Sequence, residues 1–86
     1  MEKKNVLYGA RYVVNRHLMP EEQFADPPLE KGEIIRRYLK DDDVMCPDEE
    51  VVMTRDRNGL YPYFDVPLDA IELYDIEDED YTSLAE

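Results

Sequence analysis

The sequence predicts a small, mainly β domain. Three segments are rich in the β-branched and aromatic residues that favour strands: residues 6–15, 33–39 and 50–66. The last of them is interrupted by Asn58-Gly59, a dipeptide that readily adopts the positive φ angles of a tight hairpin turn. With both arms of this hairpin and a short segment at residues 71–74, five strands are expected.

The first strand is predicted at Val6–Asn15, followed by a long loop. Period-2 alternation places one set of side chains on the same face of the strand: Val6, Tyr8, Ala10, Tyr12 and Val14. Gly9 predicts a bulge or a sharp bend. Residues 16–31 contain three prolines and no clean period, which excludes a long helix. Pro20–Phe24 is expected to form one helical turn, with Phe24 packing the loop onto the core.

Glu33–Leu39 is the second strand candidate. Four apolar residues of this segment also fit a helical i, i+1, i+4, i+5 stripe: Ile34, Ile35, Tyr38 and Leu39. Because seven residues after Gly32 are short for a helix, a strand is preferred, and whether Ile34–Leu39 is strand or helix stays open at this point.

The remaining elements are predicted around the hairpin. Glu50–Arg55 and Leu60–Val66 form its two arms. Val66–Ala70 then predicts a single 3₁₀ turn, and Ile71–Tyr74 a short last strand.

The order of these elements resembles that of the SH3-like small β-barrels. The segment YFDVPLDAIELY, residues 63–74, carries most of the resemblance. It implies a five-stranded barrel over residues 1–74, a scaffold that binds peptides, protein surfaces or nucleic acid. The tryptophan with which peptide-binding SH3 domains line their groove is absent from the sequence, so recognition of Pro-rich peptides is not implied.

Negative charge is concentrated in the second part of the chain. Residues 1–40 carry eight Lys or Arg and six Asp or Glu, whereas residues 41–86 carry two and sixteen. This −14 region repels nucleic acid and membranes and attracts basic protein surfaces. The alternative is that the acidity serves solubility only.

Neither catalysis nor a cofactor is expected. The sequence contains one histidine, one cysteine and one serine, and they lie far apart: His17, Cys46 and Ser83. The three glycines form no phosphate-binding loop. No metal site is expected either, because the carboxylates lack EF-hand spacing. The single cysteine excludes an internal disulfide and, with no signal-peptide pattern or apolar run of membrane-spanning length, predicts a cytoplasmic location.

Two sets of residues are candidates for binding a partner. Seven acids lie on or beside the last strands: Asp48, Glu49, Glu50, Asp65, Asp69, Glu72 and Asp75. Four aromatic residues are candidate anchors: Tyr61, Tyr63, Phe64 and Tyr74. Acids at alternate strand positions lie about 6.6–6.8 Å apart and can imitate successive phosphates. The alternative is a solvated exterior, with the tyrosines filling the core.

Residues 75–86 are predicted to be an acidic tail. Its charges repel one another, so the free tail is expected to be disordered. Three apolar side chains are expected to dock into a basic groove if the tail folds on binding: Ile76, Tyr81 and Leu84.

These features favour a non-enzymatic protein that binds a basic protein surface through its acidic C-terminal half. In the most concrete form it is a nucleic-acid mimic that inhibits a nucleic-acid-binding enzyme, as small virus-encoded (phage) counter-defence proteins do. The alternative is an SH3-like adaptor or assembly module within a larger complex. Direct binding of nucleic acid or of a membrane is not expected.

Overall fold

The computed structural model describes residues 5–38, 47–56 and 63–79, in which five strands form one antiparallel sheet. The strands are β1 (Ala10–Val14), β2 (Ile34–Arg37), β3 (Glu50–Thr54), β4 (Tyr63–Pro67) and β5 (Ile71–Ile76). Their order in the sheet is β4-β3-β2-β1-β5, so the last strand lies beside the first. Two 3₁₀ turns are also present, at Pro20–Glu22 and Leu68–Ala70. The prediction of a mainly β domain is confirmed.

β1 has the predicted face but a later start. Ala10, Tyr12 and Val14 are buried, as the alternation predicts. The strand begins at Ala10 because Gly9 has a φ of +73°, a left-handed conformation that interrupts an extended chain. The Gly9 N–H donates to the carbonyl oxygen of Arg37 at 2.7 Å, which attaches this bend to β2.

The segment that also fitted a helix is a strand. β2 pairs with β1 along its whole length, and Ile35 lies opposite Tyr12. Both side chains are almost fully buried, since the same parity directs them into the core. Leu39, the last residue of the predicted segment, lies outside the described residues.

β3 and β4 form the two arms of the predicted hairpin. Their register runs from Glu50 opposite Pro67 to Thr54 opposite Tyr63 and is symmetrical about Asn58-Gly59. The predicted turn lies outside the described residues. The predicted 3₁₀ turn after β4 is confirmed within the described chain.

The long loop is attached to the core by leucines, and the prediction for Phe24 is wrong. Phe24 is 58% exposed, whereas Leu18 and Leu29 are 3% and 6% exposed. The side-chain amide of Gln23 holds the backbone at Leu29. Its Nε2 donates to the carbonyl oxygen of Leu29, and its Oε1 accepts from the Leu29 N–H, which directs Leu29 inward.

β5 ends at Ile76, two residues beyond the predicted end of the last strand. Asp75 and Ile76, which the sequence assigned to the tail, lie opposite Arg11 and Ala10. The register shifts by one residue at this point and leaves Tyr74 as the extra residue of a β-bulge. The strand continues because the carboxylate of Asp75 meets the guanidinium of Arg11 across the pair of strands.

Candidate partner-binding surface

Two arginines connect the N-terminal part of the chain to acids of the C-terminal part. The Nε of Arg11 donates to Asp75 Oδ1 at 2.7 Å, and its Nη2 contacts the other carboxylate oxygen. The Nη2 of Arg16 lies 2.8 Å from Glu22 Oε2 and 2.7 Å from Asp69 Oδ1. Arg16 therefore bridges the first 3₁₀ turn and the second.

Two further arginines, one in β2 and one just after β3, are also ion-paired. The Nε of Arg36 lies 3.0 Å from Glu77 Oε1, which also accepts a hydrogen bond from the hydroxyl of Tyr38 at 3.0 Å. The Nε of Arg55 lies 2.5 Å from Glu33 Oε2. The first pair connects β2 to the residue that follows β5, and the second connects the residue after β3 to the residue before β2.

Arg37 is buried, a feature that the sequence analysis missed. It is 2% exposed, its Nη2 donates to the hydroxyl of Tyr8 at 3.0 Å, and its guanidinium carbon lies 4.3 Å from the centre of the Tyr8 ring. Its neighbour Arg36 points to the opposite face of β2 and is only half-buried. Arg37 shares the parity of Ile35, and this was the signal that could have placed it on the core face.

The ion pairs shift the pKa values of their members in the expected directions. Hydrogen bonds from Arg16, and then from the Met19 N–H, lower the pKa of Glu22 to about 2. Hydrogen bonding to Arg11 lowers the pKa of Asp75. The pKa of Arg11 is raised in turn by its hydrogen bond to Asp75.

Four of the predicted acids lie together at one end of the sheet. Asp48, Glu49 and Glu50 lead into β3, and the carbonyl oxygen of Glu49 accepts a hydrogen bond of 2.8 Å from the Leu68 N–H. This contact places the 3₁₀ turn that carries Asp69 beside them. We call Asp48, Glu49, Glu50 and Asp69 the turn patch. Asp48, Glu49 and Asp69 are exposed, and Glu50 is half-buried.

The other predicted acids are dispersed. Asp65 lies opposite Val52 in β4, and Glu72 opposite Val13 in β5, at the two edges of the sheet. Asp75, the seventh acid, is engaged by Arg11. Asp75 is therefore balanced within the chain, whereas Asp65 and Glu72 have no ion pair within the described ranges.

The predicted aromatic anchors differ in accessibility. Phe64 is a core residue, 4% exposed, because β4 alternates and directs Phe64 and Val66 inward, so it is not an exposed anchor. Tyr63 and Tyr74 are 46% and 58% exposed. Ile76, predicted to dock from the tail, is 45% exposed on β5. Three candidates lie outside the described residues: Tyr61, Tyr81 and Leu84.

The described part of the chain thus uses its arginines internally and leaves acids exposed. Four arginines are ion-paired, and Arg37 is buried. Within the described residues, four of the predicted acids form no ion pair: Asp48, Glu49, Asp65 and Glu72. The charge that remains for a partner at these positions is negative.

Residues 5–38, 47–56 and 63–79 lack two other kinds of feature. No three His, Cys, Asp or Glu side chains there are grouped so that they could hold a metal ion. No helix in these ranges has the length and apolar character needed to cross a membrane. Comparisons of the chain with protein-family models, with curated proteins and with solved structures give no match.

Proposed function

We propose that this protein is a non-enzymatic binding protein that engages a basic surface of another protein through acids of its C-terminal half. The observation that carries the proposal is that the described positive side chains of arginine are engaged within the protein, whereas several acids are not. The described arginines are paired or buried, whereas Asp48, Glu49, Asp65 and Glu72 present carboxylates without an ion pair within the described ranges. A basic partner meets attraction at these four carboxylates, since no described arginine is paired with them.

The proposed scaffold is an SH3-like barrel followed by an acidic tail. The strand order β4-β3-β2-β1-β5 and the 3₁₀ turn between β4 and β5 support this assignment. Scaffolds of this kind serve mainly in binding, but the partner is determined by the surface and not by the fold.

The turn patch is the proposed centre of electrostatic attraction. It joins two exposed acids without an ion pair in the described ranges to Asp69, whose side chain is 77% exposed and shares Arg16 with Glu22. Asp48 and Glu49 therefore supply most of its attraction. Charges of one sign on a small area accelerate the encounter with an oppositely charged protein, and salt screens this effect.

In its narrower form, the proposal is that the protein inhibits its target by occupying a nucleic-acid-binding site. Competition tests this form, because a mimic and a nucleic acid cannot bind one site together. If the captured partner is displaced by DNA or RNA and released by salt, the protein is an inhibitor of this kind. If the complex resists both, the protein is an adaptor and its acidity serves solubility.

The experiment begins with capture of partners from a lysate of the organism that encodes the protein, followed by kinetics on the purified pair. In the doubly substituted D48K/E49K protein, the association rate is expected to fall about tenfold at low salt and less than threefold at high salt. The matched control, E21K/E30K, makes the same charge change at exposed acids of the long loop and is expected to keep wild-type association. Equal losses at both salt concentrations, or in both proteins, would contradict binding through the turn patch.

A further inference from the structure

β5 is an edge strand whose outer side is open within the described structure. It is last in the order β4-β3-β2-β1-β5, and among the described residues it pairs with β1 only. Its six residues span about 20 Å. Because hydrogen bonds along an antiparallel strand alternate in direction, an edge strand presents every second N–H and C=O outward.

Apolar side chains accompany this open edge. Leu73, Tyr74 and Ile76 are 47%, 58% and 45% exposed, half of the large exposed apolar residues of the described chain. Edge strands are commonly protected by lysine or proline. β5 contains neither, whereas the opposite edge strand, β4, ends with Pro67.

Tyr74 is held in position although it is exposed. It is the extra residue of the β-bulge, and the guanidinium carbon of Arg11 lies 5.3 Å from the centre of its ring. Arg11 is itself held by two contacts with Asp75. An exposed aromatic ring that is already oriented loses little conformational entropy when a partner covers it, as an interface anchor requires.

Charge determines which occupant fits this edge. From Ile71 to Glu79 the chain carries five acids and no Lys or Arg: Glu72, Asp75, Glu77, Asp78 and Glu79. Asp75 and Glu77 are paired with Arg11 and Arg36, whereas Glu72 and Glu79, near the two ends of this segment, form no ion pair within the described ranges. A second copy of the chain, with its own net charge of −12, would bring like charges together along the edge. A segment with Lys or Arg beside its apolar residues would instead meet opposite charge.

We infer that β5 binds a basic, extended segment of a partner protein by strand addition, with Leu73, Tyr74 and Ile76 contacting apolar residues of that segment. The inference rests on the proposed function and specifies the form in which the basic partner is recognised. Main-chain hydrogen bonds supply affinity in this mode, and alternate side chains supply specificity. Residues of the partner that lie near Glu72 and Glu79 are expected to be Lys or Arg.

The test uses the full chain and a synthetic peptide of alternating lysine and valine with blocked ends, about eight residues long to span the edge. The control peptide has the same sequence and charge, but alternate backbone nitrogens are methylated so that it cannot complete a ladder. The unmodified peptide is expected to protect β5 amide protons from exchange and to bind about tenfold more tightly than the methylated one. Equal binding of the two peptides would show electrostatic attraction without strand addition; this overturns the inference and leaves the proposed function intact.

Two substitutions of equally exposed aromatic residues form a matched pair. Tyr74 and Phe24 are both 58% exposed, but only Tyr74 lies on β5. Y74A is expected to weaken peptide binding about tenfold, and F24A to leave it within about twofold. Strand addition would be overturned if Y74A and F24A weakened peptide binding equally. It would also be overturned if neither peptide changed the exchange rates of the β5 amide protons. A dimer of the free chain that Y74A dissociates would overturn it too, since a second copy would then occupy the edge. The D48K/E49K experiment tests the proposed function independently of all these outcomes.

Discussion

Tyr12 fastens the segment before β1 to the core, and removal of its hydroxyl group gives the sharpest test of this arrangement. The side chain is 1% exposed, and its hydroxyl oxygen accepts a hydrogen bond from the Leu7 N–H at 2.7 Å. Tyr12→Phe keeps the ring and removes the acceptor. A buried donor without its partner costs about 1–3 kcal/mol. Because Leu7 is only half-buried and water can replace part of the loss, we expect the free energy of unfolding to fall by about 1–2 kcal/mol.

In a folding unit of this size, each 1 kcal/mol corresponds to about 4–8 °C in Tm, so Y12F is expected to lower Tm by about 4–16 °C. The effect also depends on pH. Burial raises the pKa of Tyr12 above its ordinary value of 10.0. The stability that the neutral phenol contributes is therefore complete below pH 10.0 and is lost as the pH rises through the higher pKa of the folded state. Since Y12F lacks this group, its deficit relative to the wild type should shrink in alkaline solution.

Urea denaturation near neutral pH and again above pH 10.0 measures both effects. Tyr74→Phe is the matched control: Tyr74 is 58% exposed, and its loss of a hydroxyl should change the free energy of unfolding by less than about 0.5 kcal/mol. If Y12F is as stable as the wild type at neutral pH, the hydrogen bond to Leu7 does not have the assigned role. A deficit that does not shrink in alkali would instead contradict the raised pKa of the buried Tyr12.

Three further predictions concern the core, the ion pairs and a turn. Ile35 is fully buried. In urea denaturation, I35V should lower the free energy of unfolding by about 0.5–1.5 kcal/mol and I35A by about 2–5 kcal/mol. Equal effects of the two substitutions would contradict a tightly packed site. The pKa of Glu22 is lowered to about 2, so the stability that the Glu22 carboxylate contributes is present above the ordinary pKa of 4.5 and is lost as the pH falls through about 2. E22Q should therefore make the free energy of unfolding less dependent on pH in this range. An NMR titration midpoint near 4.5 for Glu22 would exclude the pair with Arg16. Gly32 has a φ of +94° with no atom near the position of a Cβ, so G32A should cost about 1–2 kcal/mol through backbone strain alone, and an unchanged Tm would refute this.

Local patterns in the sequence were sufficient to predict whether most elements are strands or turns, and which side chains of a strand face the core. The alternation around Tyr12 predicted which side chains of β1 are buried, and proline at residue 20 predicted the first 3₁₀ turn. The same parity also contained information that was not used. Arg37 follows Ile35 by two residues and is directed to the core with it.

The ion pairs could not be predicted because they depend on which strands are neighbours. Arg11 and Asp75 are 64 residues apart, and Arg36 and Glu77 are 41 apart. Nothing local to either residue reveals that β5 lies beside β1. For this reason Asp75 was predicted to be one of the acids that bind a partner, whereas it balances an arginine of β1.

The pairing of β1 with β5 determines how the domain responds to a pulling force. Ala10 and Ile76 lie opposite each other in an antiparallel pair, so a force applied through the two ends of the chain acts across the strands rather than along them. Hydrogen bonds loaded in this direction break one after another, as in a zipper, and not all together as in shear. Among the described residues, the first contacts to resist are those of Glu77 and Asp78: their N–H groups donate to the carbonyl oxygen of Gly9, and the Glu77 carboxylate is held by Arg36 and Tyr38. The pair of Arg11 with Asp75 follows. Under tension from its ends, the domain should therefore release β5 first and at low force.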